Sequence, residues 1–194
     1  MLQKDAYKVL EKLQLMELLK NFGEPKIVGS LSLGLMTWRD IDLETVCKEL
    51  KKEYIAAIVA TLISNFDRRI DFGMIDNRLK EHFIIPKGMY IGCKYFGEDI
   101  PVEELKGSNP NVWKIDMWFG LKGDNQGFQK TEEIKSKLTK EKRRIILEIK
   151  EKVSKNPKFR KEIFSVDIYD AVLENGVNNL NEFEQYLKQR GRLL

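Results

Sequence analysis

The stretch DIDLETV, residues 40–46, alternates polar and apolar side chains. Such a period of two fits an extended strand, with Ile41 and Leu43 on one face and Asp40, Asp42 and Glu44 on the other. A strand with a carboxylate-lined face cannot be buried between two apolar layers, so one side of the sheet it joins must stay open or be met by cations. Three further stretches, RRIDFGMID, GMYIGCKYF and VWKIDMWFG, are rich in Ile, Tyr, Phe and Trp and are separated by the turn segments PKG and KGSNPN. They read as strands of a mostly antiparallel sheet. KIV, residues 26–28, adds a short strand that ends at Gly29-Ser30.

Helical periodicity surrounds these strands. A first helix is expected over residues 4–21, stopped by Gly23 and Pro25, and a second over residues 47–66, with an apolar half thick enough to be mostly covered. From Thr131 onward the pattern is helical: one helix over residues 131–155, one from Pro157 through Glu174, and a last one at NLNEFEQYLKQR, capped by Asn179 or Asn181. The fold class is therefore α+β, a mixed, mostly antiparallel sheet flanked by helices, with residues 1–128 as the sheet-bearing domain and residues 129–194 as a C-terminal helical segment.

At 194 residues and 42% hydrophobic content the chain can bury one sizeable core. No apolar run approaches the ~18 residues of a membrane span, and the N-terminus reads as an amphipathic helix rather than a signal peptide. Two cysteines, Cys47 and Cys93, and a single histidine, His82, exclude a Cys/His zinc cluster and point to a reducing, cytoplasmic location without membrane association. Residues 130–161 hold 13 Lys or Arg against 5 Glu, which is either a solvated helix face or a surface for phosphates or an acidic partner.

Asp40 and Asp42, two apart on a strand, have Cα atoms about 6.6 Å apart and share a face. Side by side they repel, and a divalent cation removes that repulsion. Mg²⁺ prefers oxygen ligands and suits this pair. Asp116, between Ile115 and Met117 in an apolar and aromatic strand, is the natural third ligand if its strand lies beside that of Asp40. Three carboxylates could hold two metals roughly 3.5–4 Å apart, the spacing used in phosphoryl displacement. Upstream, Gly29 would let the backbone approach a phosphate and the Ser30 hydroxyl would donate to it, with Gly34 keeping the loop supple. GSLSLG is neither a P-loop nor a Gly-x-Ser-x-Gly elbow, and Ser-His-Asp chemistry would rest on His82 alone.

Gly-Ser, a gap of about ten residues, Asp-x-Asp on a strand and a third Asp on a later apolar strand together resemble the catalytic signature of the DNA-polymerase-beta-like nucleotidyltransferase superfamily, over roughly residues 20–120. The pattern looks closest to the small single-chain enzymes that modify antibiotics and other small molecules. The resemblance implies that Gly29 and Ser30 grip the triphosphate. It implies that Asp40 and Asp42 bind both of two Mg²⁺ ions, and that Asp116 helps bind one metal and activates the acceptor hydroxyl as the candidate base. The expected activity is transfer of a nucleoside monophosphate from a nucleoside triphosphate, ATP among them, to a hydroxyl of a small-molecule acceptor, with nucleic acid set aside as a partner.

Two rival readings are a non-catalytic nucleotide- or partner-binding module of the same fold, and nucleic-acid end modification with residues 130–161 on the phosphate backbone. A cationic acceptor would want an acidic pocket, for which Glu44, Asp67, Asp71, Asp76 and Glu98 are available. Trp113, Trp118, Phe119 and Tyr95 read as packing residues, His82 as a surface or turn residue, and GDNQG, residues 123–127, as the turn between sheet and tail, with a mobile lid as the alternative. Oligomeric state is left open.

Overall fold

The computed structural model describes residues 2–66, 69–78, 87–105, 109, 111–124, 126–159 and 161–194. Asp67 and His82 lie outside these residues. Contacts divide the chain into two compact units, residues 1–34 with 38–131 and residues 35–37 with 132–194. No helix among the described residues is long and apolar enough to cross a membrane.

The first unit is built on five strands: β1 (Gly23–Val28), β2 (Asp40–Cys47), β3 (Ile70–Asp76), β4 (Met89–Tyr95) and β5 (Trp113–Leu121). They are ordered β1-β2-β5-β4-β3. The β2/β5 pair is parallel and the other three pairs are antiparallel, which is the mixed, mostly antiparallel sheet expected. Alternation divides its faces. Ile41, Leu43, Ile91, Cys93, Ile115 and Met117 are buried on one face, while Asp40, Asp42, Lys114 and Asp116 on the other are only partly covered.

Helices α1 (Leu2–Lys12), α2 (Leu15–Lys20), α3 (Gly29–Leu33) and α4 (Lys52–Phe66) complete most of this unit. The single helix expected over residues 4–21 is broken at Gln14, which takes a left-handed conformation at φ 50°. The physical reason is that Leu13 and Leu15 are both buried. In one continuous helix they would point about 200° apart. β1 starts earlier than the expected KIV strand and includes Pro25, which is tolerated because β1 is an edge strand. α4 begins only at Lys52, since Cys47 ends β2, and just Ile55, Ile58 and Leu62 of it are buried. Its covered face is thus narrower than its apolar content suggests.

α5 (Gln126–Lys137) starts in the first unit, and α6 (Lys140–Val153), α7 (Ser165–Glu174) and α8 (Leu180–Gln189) belong to the second. The expected helix over residues 131–155 divides at Thr139, whose hydroxyl accepts from the Lys142 amide and caps α6. Instead of a helix from Pro157, the described residues from Pro157 to Ile163 hold no helix, and α7 starts at Ser165 with the Asp167 carboxylate accepting from the Phe164 amide. Asn179 caps α8 through the Glu182 amide. Ile145, Ile146, Ile149, Ile168, Phe183 and Leu187 form the buried centre of this unit. The fully buried Lys150 donates to the Leu35 carbonyl at 2.7 Å and to the Tyr169 hydroxyl at 3.2 Å, tying residues 35–37 to the helices.

Candidate active site

In the parallel β2/β5 pair Asp40 lies opposite Lys114 and Asp42 opposite Asp116. Alternation sends all four side chains to the open face of the sheet. Asp40, Asp42 and Asp116 each offer one carboxylate oxygen, and these oxygens lie within 4.8 Å of one another. The strand carrying Asp116 does lie beside the strand carrying the Asp-x-Asp pair.

Mutual repulsion among three carboxylates so close is offset by donors. The Lys114 ammonium binds Asp116 Oδ2 and stands 3.6 Å from Asp40 Oδ1. The Tyr90 hydroxyl donates to Asp116 Oδ1 at 2.8 Å, and the Trp38 indole N–H donates to Asp40 Oδ2 at 3.1 Å. Burial, the bond to Asp116 and the nearby carboxylates hold the Tyr90 phenol far above its ordinary pKa, so it stays protonated and a donor. The entry of β2 is fixed to β5 by Arg39, whose carbonyl accepts from the Lys114 amide at 3.0 Å and whose guanidinium donates to the Asn111 carbonyl at 2.7 Å.

This donor set fits a hard divalent cation. It consists of carboxylate oxygens alone, and the side chains of Asp40 and Asp116 are 13% exposed, so little water is at hand to screen them. Asp40 Oδ1 is a buried oxygen with the Lys114 ammonium at 3.6 Å, beyond hydrogen-bond length.

Gly29 and Ser30 open α3 beside the carboxylates. Gly29 has a φ of +62°, and a Cβ on it would fall 2.5 Å from Asp42 Oδ2. Glycine is therefore demanded here by the approach of Asp42 as well as by backbone conformation. Its amide donates to Thr131 Oγ1 at 3.0 Å, and the Thr131 hydroxyl donates onward to the Gly127 carbonyl at 2.8 Å. Ser30 is buried next to it. Gly34, expected to keep the loop supple, ends α3 in a left-handed cap at φ 68°.

Glu44 shares the open face with the aspartates but has a different partner. Its Oε2 accepts from the Phe128 amide at 2.7 Å, in the first turn of α5. Burial raises its pKa, against the amides of Phe128 and Gly127 and the Lys26 ammonium. Together Glu44 and Thr131 fasten the start of α5 to β2 and to α3.

The carboxylates proposed for an acidic acceptor pocket do not assemble one among the described residues. Asp76 is held by Arg78 at 2.8 Å and approached by Lys52 at 3.4 Å, and Glu98 by Lys12 at 2.7 Å. Glu44 is committed to α5, which leaves Asp71 on β3. Trp113, Phe119 and Tyr95 are buried in the core. Trp118 instead lies on the open face, with its ring 4.7 Å from that of Tyr90. Lys114, Tyr90, Trp38 and Thr131 escaped the sequence reading. Lys114 alone carried a legible signal, two residues before Asp116 on the same strand and hence on the same face.

No protein-family model matches the chain, and no curated protein sequence matches it. Its fold is similar to that of solved uridylyltransferase structures. Cid1 poly(U) polymerase bound to MgGTP matches with a TM-score of 0.59 and 15% identity, over 89% of this chain and 49% of that chain. Cid1 in complex with its short product ApU matches with a TM-score of 0.58 and 15% identity, over 89% and 48%. A cytoplasmic RNA terminal U-transferase matches with a TM-score of 0.56 and 15% identity, over 88% and 45%. The chain spans about half the length of these structures. The likeness shows the nucleotidyltransferase fold. It does not support the narrower likeness to antibiotic-modifying enzymes, and an RNA-modifying neighbour conflicts with setting nucleic acid aside.

Proposed function

We propose that this chain is the catalytic part of a metal-dependent nucleotidyltransferase that adds nucleoside monophosphates from a nucleoside triphosphate to the terminal hydroxyl of an RNA strand. The observation that carries this reading is the convergence of Asp40, Asp42 and Asp116 within 4.8 Å on two paired strands. The similar solved structures are a terminal U-transferase and a poly(U) polymerase, which favours a strand end over a small-molecule acceptor. A second support is charge: Lys140, Lys152, Lys155 and Lys161 are exposed in the helical unit, and RNA offers phosphates to such a surface.

In this reading Asp40, Asp42 and Asp116 would hold the Mg²⁺ that the reaction uses, two ions being the expected number. Bound there, the cations supply neutralisation of the charge on the reacting phosphates. Ser30 orients the triphosphate and leaves the pyrophosphate on the α3 side. An Asp116 carboxylate oxygen takes the proton from the acceptor hydroxyl, while Tyr90 keeps that carboxylate aimed. Positioning and charge do most of the work, as in phosphoryl transfer generally. Residues 1–128 carry this chemistry, and residues 129–194 form a helical segment.

The test is extension of a 5′-labelled single-stranded RNA with each nucleoside triphosphate in turn, resolved on a denaturing gel. The reading expects Mg²⁺-dependent lengthening, lost in EDTA and in Asp116→Asn, with RNA affinity falling steeply as salt rises. RNA of unchanged length with every triphosphate contradicts it.

A further inference from the structure

Three rows of residues run across the open face of the sheet, fixed by strand register. The central row is Asp42, Asp116, Gly92 and Gly73. On one side of it run Asp40, Lys114, Lys94 and Asp71, and on the other Glu44, Trp118, Tyr90 and Ile75. The carboxylate row thus continues from Asp116 to the sheet edge over two glycines, as a trough flanked by one charged and one aromatic and apolar row and crossed at Gly92 by the Tyr90 side chain. A groove of about 500 Å³ occupies this place, lined by Asp71, Gly73, Tyr90, Gly92, Lys94 and Lys114 and ending at Asp116.

The two glycines play different parts. A Cβ on Gly92 would fall 2.4 Å from the Tyr90 hydroxyl, so its bareness is what lets Tyr90 lean across and bond Asp116. A Cβ on Gly73 would meet nothing within 4 Å. Packing does not demand glycine at position 73, and its backbone lies outside the left-handed region. Glycine inside a strand weakens it and commonly marks a close approach by a ligand or another backbone.

We infer that the trough floored by Gly73 is the subsite for the last nucleotide of the acceptor strand, with its base over Gly73 against Tyr90 and its backbone phosphates toward Lys94 and Lys114. This inference rests on the proposed nucleotidyl transfer and adds where the acceptor lies. In-line displacement requires the attacking oxygen opposite the leaving one. With pyrophosphate leaving on the α3 side, the attacking hydroxyl comes from the Asp116 side, where the trough begins. Two strand spacings of about 4.8 Å separate Gly73 from Asp116, comparable with the reach from a sugar hydroxyl to the far edge of its own base. The volume falls within the range of about 300–1,000 Å³ usual for ligand sites. β3 is the last strand of the sheet among the described residues, so the trough runs out at that strand.

The test fills the floor with Gly73→Ile, using Met74→Ile as the control, since Met74 is exposed on the opposite face of the same strand. Binding of a 5′-labelled pentanucleotide is read by fluorescence anisotropy, and acceptor KM by extension, while triphosphate affinity with Mg²⁺ is read by calorimetry. Gly73→Ile is expected to weaken pentanucleotide binding and raise acceptor KM about fivefold or more, the worth of one stacked base, with triphosphate affinity unchanged and Met74→Ile like the wild type. Equal RNA binding by wild type and Gly73→Ile overturns the inference, as does no RNA binding by the wild type. Wild-type RNA binding that Gly73→Ile weakens, without any nucleotide transfer, keeps the subsite and removes the transfer reading.

Discussion

Asp42 and Asp116, 74 positions apart in the chain, are direct register partners across the parallel β2/β5 pair. Side chains paired in this way lie about 5 Å apart by strand geometry alone, so the sheet itself builds the carboxylate cluster before any loop contributes. Asp40 joins from the next outward position on β2, and the charged and aromatic donors around the cluster come from the neighbouring rows.

Tyr90 tests whether those donors matter. Its hydroxyl is bonded to Asp116 Oδ1 at 2.8 Å, and a bond to a charged group contributes about 1.5–3 kcal/mol. Tyr90→Phe should keep the fold, lower the unfolding free energy by about that amount or less, and cut turnover about tenfold, because Asp116 loses its fixed orientation. Urea denaturation and single-turnover extension measure the two effects; an unaltered rate would exclude a positioning role.

Lys114 places an ammonium among the carboxylates, bonded to Asp116 and 3.6 Å from Asp40. A tethered cation there competes with a free one. Lys114→Met should lower the Mn²⁺ concentration at half-saturation several-fold, as followed by the electron paramagnetic resonance of free Mn²⁺. A higher requirement in the variant would mean that Lys114 organises the ligands rather than competing for them.

Away from the site, Asp76 predicts a pH effect. The Arg78 guanidinium, above all, holds its carboxyl well below the ordinary carboxylate range. The native state therefore binds this proton less tightly than the unfolded state, whose aspartate titrates near about 3.9. The stabilisation is present above that pH and is lost as pH falls through the native value. Asp76→Asn should be less stable than wild type at pH 7, and the gap should narrow as pH is lowered from about 4 toward about 2. Thermal melts across this range give the comparison, and a gap that stays constant with pH would rule the ion pair out as its source.

Much of this arrangement was legible in the sequence because it is periodic. Alternation in DIDLETV placed Asp40 and Asp42 on one face, and an aspartate isolated between Ile115 and Met117 marked β5. Burial followed that alternation in part, with Ile41 and Leu43 fully covered, Asp40 and Asp42 partly covered, and Glu44 on the aspartates' face buried. What escaped depends on partners far apart in the chain. Glu44 meets Phe128 at a separation of 84 residues, Gly29 meets Thr131 at 102, and Tyr90 meets Asp116 at 26. No local pattern encodes such pairings. Helix ends were misread for a related reason. The breaks at Gln14 and Thr139 satisfy burial of Leu13 with Leu15 and a side-chain cap, while a periodicity window runs straight through both. The acidic pocket weighed for a cationic acceptor was not legible because it depends on which carboxylates have cationic partners, as Asp76 has Arg78 and Glu98 has Lys12.

The most direct test of the central claim is a calorimetric titration of each nucleoside triphosphate into the chain, with Mg²⁺ and with EDTA, for the wild type and Asp42→Asn. The account predicts binding that requires Mg²⁺, disappears in EDTA and is lost in Asp42→Asn, while the variant melts at the same or a higher temperature because one like charge has left the cluster. Triphosphate binding that survives in both EDTA and Asp42→Asn, or a wild type that binds none, would contradict the assignment of Asp40, Asp42 and Asp116 as a nucleotidyl-transfer centre.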